Sequence, residues 1–157
     1  MKILLLEDEL MLNNAISEYL KNIGHMVESF CDGQEVLDSI NSSFDLLVLD
    51  INVPTKDGFE ILTELNSRKV YIPTIFISAL IDIEDISKAY NLGCREYIKK
   101  PFHLGELGIK INQILKKEQN NTSHIRFSEN YSYAKDKQTL YFNGEPQNLT
   151  KKQLEII

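Results

Sequence analysis

The chain has 157 residues, with 43% hydrophobic and 25% charged residues and a formal net charge of −6. That composition is globular and the length suits one domain, or one domain with part of a second. The acid excess lies in the first 119 residues, which argues against nucleic-acid binding there. No apolar run reaches the roughly 18 residues of a membrane span, and no signal-peptide pattern is present, so a cytoplasmic protein is expected.

Taken in order, Lys2–Leu6 predicts a first strand that runs into Glu7-Asp8-Glu9. Leu12, Ile16, Tyr19, Leu20 and Ile23 then recur at helical spacing, with Gly24 as the stop. Met26–Phe30 predicts a second strand, and Val36, Leu37 and Ile40 a second helix. Leu46–Leu49 is a buried apolar run that ends on Asp50, and Phe59, Ile61, Leu62 and Leu65 mark the third helix. Thr74–Ile77 reads as a strand, followed by helical spacing at Ile83, Ile86, Ala89, Tyr90 and Leu92 and a stop at Gly93. Glu96–Ile98 runs into Lys99-Lys100-Pro101, and Leu104, Leu107, Ile111, Ile114 and Leu115 mark a fifth helix. Such alternation predicts an α/β fold, a doubly wound five-stranded parallel sheet with right-handed crossovers. The first, third and fourth strands are nearly all apolar, as in strands covered on both faces.

Lys116–His124 (KKEQNNTSH) is polar without apolar period and reads as a linker, placed at 120–124. Beyond it, Ile125–Phe127, Tyr131–Ala134 and Thr139–Phe142 read as short strands, with Asn143-Gly144 as a hairpin turn. Thr150 to Gln153 fits a capping box opening a helix over the last residues. So small an antiparallel unit buries little apolar surface, and 125–157 reads as the front of a second domain, cut short.

Open α/β sheets place their chemistry at the carboxyl ends of the strands. Three strand ends there carry Glu7-Asp8, Asp50 and Lys100. Acids from two strands with a lysine from a third suit a hard metal ion and a phosphoryl group. An acidic triplet alone is ordinarily a solvated turn; the combination is not. Cys31 and Cys94 match no metal or redox spacing and read as free, buried thiols of a reducing compartment. His25, His103 and His124 are scattered and read as ordinary histidines rather than ligands.

Glu7-Asp8, Asp50 with Pro54 and Gly58, Ser78-Ala79 and Lys100-Pro101 each follow a predicted strand. In that order they resemble the receiver domain of two-component response regulators, over residues 1–119, which implies a flavodoxin-like (βα)5 fold. The tail FNGEPQNLTKKQLEII resembles the opening of the winged-helix DNA-binding domain of the OmpR/PhoB type. The resemblance implies that Asp50 accepts a phosphoryl group from a sensor histidine kinase. It also implies a Mg²⁺ ion held by Asp8, Asp50 and the backbone carbonyl of Asn52, with Glu7 acting through water. Lys100 would pair with Asp50 before transfer and with the phosphoryl group after it. Ser78 would be the switch hydroxyl beside Ala79, and Tyr97 the aromatic that turns inward in response. Pro101 would be a cis-proline, and Gly58 would meet a backbone need in the loop after Asp50.

By the same resemblance the fourth helix, fifth strand and fifth helix form a dimer face, with candidate ion-pair residues Lys88, Arg95, Glu96, Glu106 and Lys110. The family's usual Ala-Asp-Asp-Tyr reads Cys94-Arg95-Glu96-Tyr97 here. Arg95 reverses an expected acid, so the usual pairing does not carry over whole. Leu80, two residues after Ser78, is apolar where the family often has a polar group, which predicts an altered dephosphorylation rate. The expected function is a phosphorylation-switched receiver that controls transcription through a C-terminal DNA-binding domain, without acting as an enzyme on external substrates. The chain as given should bind DNA weakly or not at all. A receiver-like module dimerising without phosphorylation is the alternative. An aspartyl-phosphate hydrolase would want an acid two residues after the nucleophile, where Asn52 stands.

Overall fold

The computed structural model describes residues 1–122 and the strand segments 124–126, 131–134, 139–142 and 145–147, with side chains described for residues 1–118. It divides into two compact units, Met1–Lys110 and Ile111–Ile157.

In the first unit strands and helices alternate: β1 (Lys2–Leu6), α1 (Leu10–Asn22), β2 (Met26–Phe30), α2 (Gly33–Ser39), β3 (Leu46–Asp50), α3 (Gly58–Ser67), β4 (Thr74–Ser78), α4 (Ile83–Asn91) and β5 (Glu96–Lys99). A last helix, α5 (Leu104–Thr122), begins here and crosses the boundary between the units. All five strands pair parallel, in the order β2-β1-β3-β4-β5. That is the doubly wound sheet expected from the alternation. Its order reverses at the β1/β3 pair, and such a switch point opens a crevice at the carboxyl ends of the strands.

β3 and β4 are buried from end to end and β1 beyond its first residue, as strands covered on both faces must be. Edge strand β2 is exposed or half-buried throughout. Asp50, Ser78 and Lys99 each extend a strand one residue past its apolar run, so polar groups close the strands at the crevice. Phe59 of α3 meets Phe76 of β4 edge-to-face at 5.6 Å in the core.

α1 buries Asn13, Ile16, Ser17 and Leu20, one stripe at helical spacing. Asp32 caps α2 by accepting from the Gln34 and Glu35 amides, and Asp57 caps α3 by accepting from Glu60. α1 and α4 end alike: Gly24 and Gly93 take φ of 101° and 99°, and the next amide bonds back five residues, His25 to Leu20 and Cys94 to Ala89.

The predicted fourth helix is present as α4; it buries only Ala89, with Ile83 76% and Tyr90 47% exposed, while Ile86 and Leu92 pack half-buried against the core. Its outer stripe therefore faces solvent, as a period alone does not say which face is covered. Two other expectations are corrected. The polar stretch read as a linker continues as helix through Thr122. Lys, Glu and Gln are good helix formers, and extending an existing helix avoids the cost of nucleation. Cys31 is exposed rather than buried; Cys94 is buried, and burial pushes its thiol up to about 12.

The second unit contains an antiparallel sheet ordered β6-β7-β8-β9: β6 (His124–Arg126), β7 (Tyr131–Ala134), β8 (Thr139–Phe142) and β9 (Glu145–Gln147). Phe142 pairs with Glu145 across the predicted turn, though Asn143-Gly144 and the expected helix from Thr150 lie outside the described residues.

His25, after the α1 stop, has Nδ1 3.3 Å from the N-terminal ammonium of Met1. Burial, and then that positive charge, hold its imidazole below the usual 6.5. An unfolded chain protonates first, so this contribution to stability is present above 6.5 and lost as pH falls through the folded value. His25→Gln should flatten that slope in denaturant midpoints taken across mildly acidic pH; an unchanged slope would remove His25 from the account.

Candidate functional site

Glu7 follows β1, Asp50 closes β3, and Lys100 follows β5, so the sheet order brings all three to one edge. Glu7 is 1% and Asp50 4% exposed, while Asp8 is exposed. The Lys100 ammonium donates to Glu7 Oε2 and to Asp50 Oδ2, each at 2.8 Å. The second oxygens are also engaged: Glu7 Oε1 accepts from the Glu9 amide at 3.1 Å, and Asp50 Oδ1 from the Asn52 amide at 3.1 Å.

Burial raises the Glu7 carboxyl above its usual value, with Asp50's charge adding to the effect and Lys100 opposing it. Burial alone would lower the Lys100 ammonium, but its bonds to Asp50 and Glu7 outweigh that and raise it. The lysine is thus firmly cationic between two buried carboxylates.

Glu7, Asp8 and Asp50 each offer a carboxylate oxygen, all within 4.8 Å of one another. A donor set made of carboxylate oxygens, with one member open to solvent, fits a hard, partly hydrated cation such as Mg²⁺. It does not fit a soft metal, since among the described residues no sulfur or imidazole joins it.

Ser78 closes β4 beside this cluster, fully buried, its Oγ accepting from the Leu80 amide at 3.1 Å. Ala79 next to it is exposed. Tyr97 of β5 is buried, and its hydroxyl donates to the Leu80 carbonyl at 2.8 Å. Burial raises the Tyr97 phenol, with the Ser78 hydroxyl opposing. Leu80 is therefore held by its backbone from both sides, and its side chain packs against the core. The Lys100–Pro101 peptide is cis. At Gly58 an added Cβ would lie 2.9 Å from the Asp50 carbonyl and from Ile51 Cα, so only glycine lets α3 start this close to β3.

The dimer-face candidates do not all come together. Lys110 bonds Glu96 at 3.2 Å within one chain. Lys88 instead lies over the Phe59 ring at 4.6 Å, on the α3 side of α4. Arg95 and Glu106 are exposed.

Sequence reasoning missed Asn13, whose buried side-chain amide donates to the Glu7 and Phe30 carbonyls at 2.9 and 3.2 Å and joins the ends of β1 and β2. The available signal was a polar residue at a core-facing position of α1, in line with Ile16 and Leu20. It also missed Asp32, which bonds the loop after β3; the signal there was Asp-x-x-Glu at a helix start.

Comparison with known proteins places this geometry in a family. Residues 3–112 match the response regulator receiver domain. The chain is 32% identical over 161 residues to the transcriptional regulatory protein RprY of Bacteroides fragilis, covering all of this chain and 68% of that protein. It is 36% identical over 117 residues to the transcriptional regulatory protein CiaR of Streptococcus pneumoniae, covering 74% of this chain and 52% of that one. The chain thus spans from about half to about two thirds of these relatives' lengths. Among solved structures, the response regulator DrrB of Thermotoga maritima, an OmpR/PhoB homologue, superposes with a TM-score of 0.68 at 26% identity, covering 99% of this chain and 69% of that one. With its carboxylates and lysine gathered at the switch point of a five-stranded parallel sheet, the chain belongs to the response regulator receiver family, and its relatives include transcriptional regulatory proteins and an OmpR/PhoB homologue.

Proposed function

We propose that this receiver accepts a phosphoryl group on Asp50 from the phosphohistidine of a sensor kinase, and that the modification switches the α4–β5–α5 face to control transcription through a C-terminal DNA-binding domain. The observation that carries this reading is the Lys100 ammonium bridging two buried carboxylates at the sheet's switch point. An Asp50 oxygen attacks phosphorus, an O–P bond forms and the P–N bond breaks. The imidazole nitrogen keeps the electron pair and becomes neutral by taking a proton from solvent. Asp8, Asp50 and the Asn52 carbonyl would hold Mg²⁺, with Glu7 reaching it through water; the ion supplies positive charge to the phosphoryl oxygens.

The chain's own groups do the rest. Lys100 neutralises Asp50 before transfer and pairs with the phosphoryl oxygens after it. The Asn52 amide holds one Asp50 oxygen in place. Ser78, whose Oγ accepts from the Leu80 amide, would donate its hydroxyl hydrogen to a phosphoryl oxygen. Ile81, Ile83 and Ile109 are exposed on the loop before α4, on α4 and on α5, and supply apolar surface for dimerisation.

The second reading, a dimer independent of phosphorylation, is kept because Arg95 stands, exposed, where the family's usual dimer face carries an acid. Sedimentation with Mg²⁺, with and without beryllofluoride, tests both. Conversion of monomer to dimer, absent in Asp50→Ala, supports the switched receiver; a dimer in both conditions supports the second reading.

A further inference from the structure

Thr55, in the loop after Asp50, takes φ 66°, a left-handed conformation that β-branched residues rarely adopt. Something outside the residue must hold it there, and the β2–α2 turn supplies the contacts. The Thr55 hydroxyl donates to Asp32 Oδ1 at 2.8 Å and accepts from the Gln34 amide at 3.0 Å. The Gly33 amide donates to the Pro54 carbonyl at 3.2 Å. Gly33 has no room for a side chain, since an added Cβ would meet the Lys56 carbonyl at 1.8 Å. The two loops therefore touch backbone to backbone, with one hydroxyl–carboxylate bond across the join. Asp32 meanwhile caps α2, which ties the join to a helix. At its base the same loop is closed by the Gly58 amide on the Ile51 carbonyl at 2.9 Å, and its first residues are Ile51 and Asn52.

We propose that Asp32 and Thr55 form a latch that positions the loop following Asp50, so that the Asn52 carbonyl is preset for a divalent cation. They are positioning residues and touch no reacting atom. A loop held at both ends loses less freedom when the ion binds. The idea rests on the Mg²⁺ reading above, but the latch itself is testable without metal.

Thr55→Val removes the hydroxyl and keeps the shape. Asp32→Ser keeps a helix cap but is too short to reach Thr55. Thr55→Gly removes the hydroxyl while relieving the strained φ, and so should fold even if the valine variant does not. Groups that support metal ligands from outside typically change affinity by about 10–100-fold; for a latch one step further out, all three variants should raise the Mg²⁺ concentration for half-saturation about three- to tenfold. Calorimetry of the full chain measures this. Uptake from acetyl phosphate should fall at low Mg²⁺ and recover at saturating Mg²⁺. In metal-free protein the Gly33 amide should exchange with solvent several-fold faster. Thr55→Ser, which keeps the hydroxyl, should restore wild-type behaviour.

Folded Thr55→Val and Thr55→Gly proteins with wild-type half-saturation and wild-type Gly33 exchange would overturn the latch. Faster Gly33 exchange with unchanged half-saturation would overturn its role in presetting the ion site. A wild-type chain that shows no Mg²⁺ saturation would instead overturn the reading of the site on which the proposal rests.

Discussion

Asp50→Asn takes up no phosphoryl group from acetyl phosphate, with incorporation by intact mass at least about a thousandfold below the wild type, the scale expected when a nucleophile is deleted. The three carboxylates of the cluster are not equivalent. Glu7 has one oxygen on the Glu9 amide and the other on Lys100, but it lies one residue beyond the end of β1 rather than on the strand. Asp8 is exposed and has no lysine beside it among the described contacts. Asp50 alone is buried, paired with Lys100 and the last residue of a central strand. Asparagine keeps the acceptor for the Asn52 amide, so the loop stays in place and the loss reports chemistry rather than collapse. Glu7→Gln, by contrast, should retain measurable uptake. Phosphoryl incorporation into Asp50→Asn at the wild-type level would move the acceptor to another residue and sink the assignment.

The parts of the site that could be read in the sequence are those that end strands. Glu7, Asp50, Ser78 and Lys100 each follow an apolar run, and period and run length locate such runs well. The sheet order then brings the ends together without further information, because a right-handed βαβ chain leaves few topologies. The parts that were missed are held by contacts between distant turns. Asp32 to Thr55 joins positions 23 apart, and Asn13 to Phe30 positions 17 apart, and no local pattern announces a bond across a turn. α4 was read correctly as a helix from its period, but which stripe is covered depends on neighbours the sequence does not place, and here Ile83 and Tyr90 face out. The stretch read as a linker failed because polarity was taken as a break, although nothing in Lys116–Thr122 stops a helix already under way. Gly58 could be singled out for a backbone need, while the contact that imposes it, the carbonyl of Asp50, became visible only in the fold.

Lys100→Met lowers the unfolding free energy by about 1–3 kcal/mol in the absence of divalent cations. Breaking a fully buried ion pair costs about 3–5 kcal/mol, and the Lys100 side chain is 21% exposed, so water screens part of the charge left behind. The variant leaves Glu7 and Asp50 buried with no cation between them, so the cost is mostly repulsion and lost hydration rather than lost packing; methionine fills similar space. The pH dependence separates this from a packing defect. In the wild type, Lys100 is raised above 10.5, so its contribution is present below that value and is lost as pH climbs through the folded one. In the variant that alkaline loss disappears. Glu7, already raised above 4.5 by burial, loses the ammonium that held it down and rises further. A group that binds its proton more tightly when folded stabilises most at low pH, so the gap between variant and wild type should narrow as pH falls through the folded value. Added Mg²⁺ should narrow it at neutral pH by supplying the missing charge. Urea titrations followed by circular dichroism, at neutral and mildly acidic pH and with and without Mg²⁺, measure all three effects. A gap of the same size in every condition would mean that Lys100 contributes by packing alone, and that the carboxylates do not form the coupled charge cluster on which the phosphoryl-acceptor reading depends.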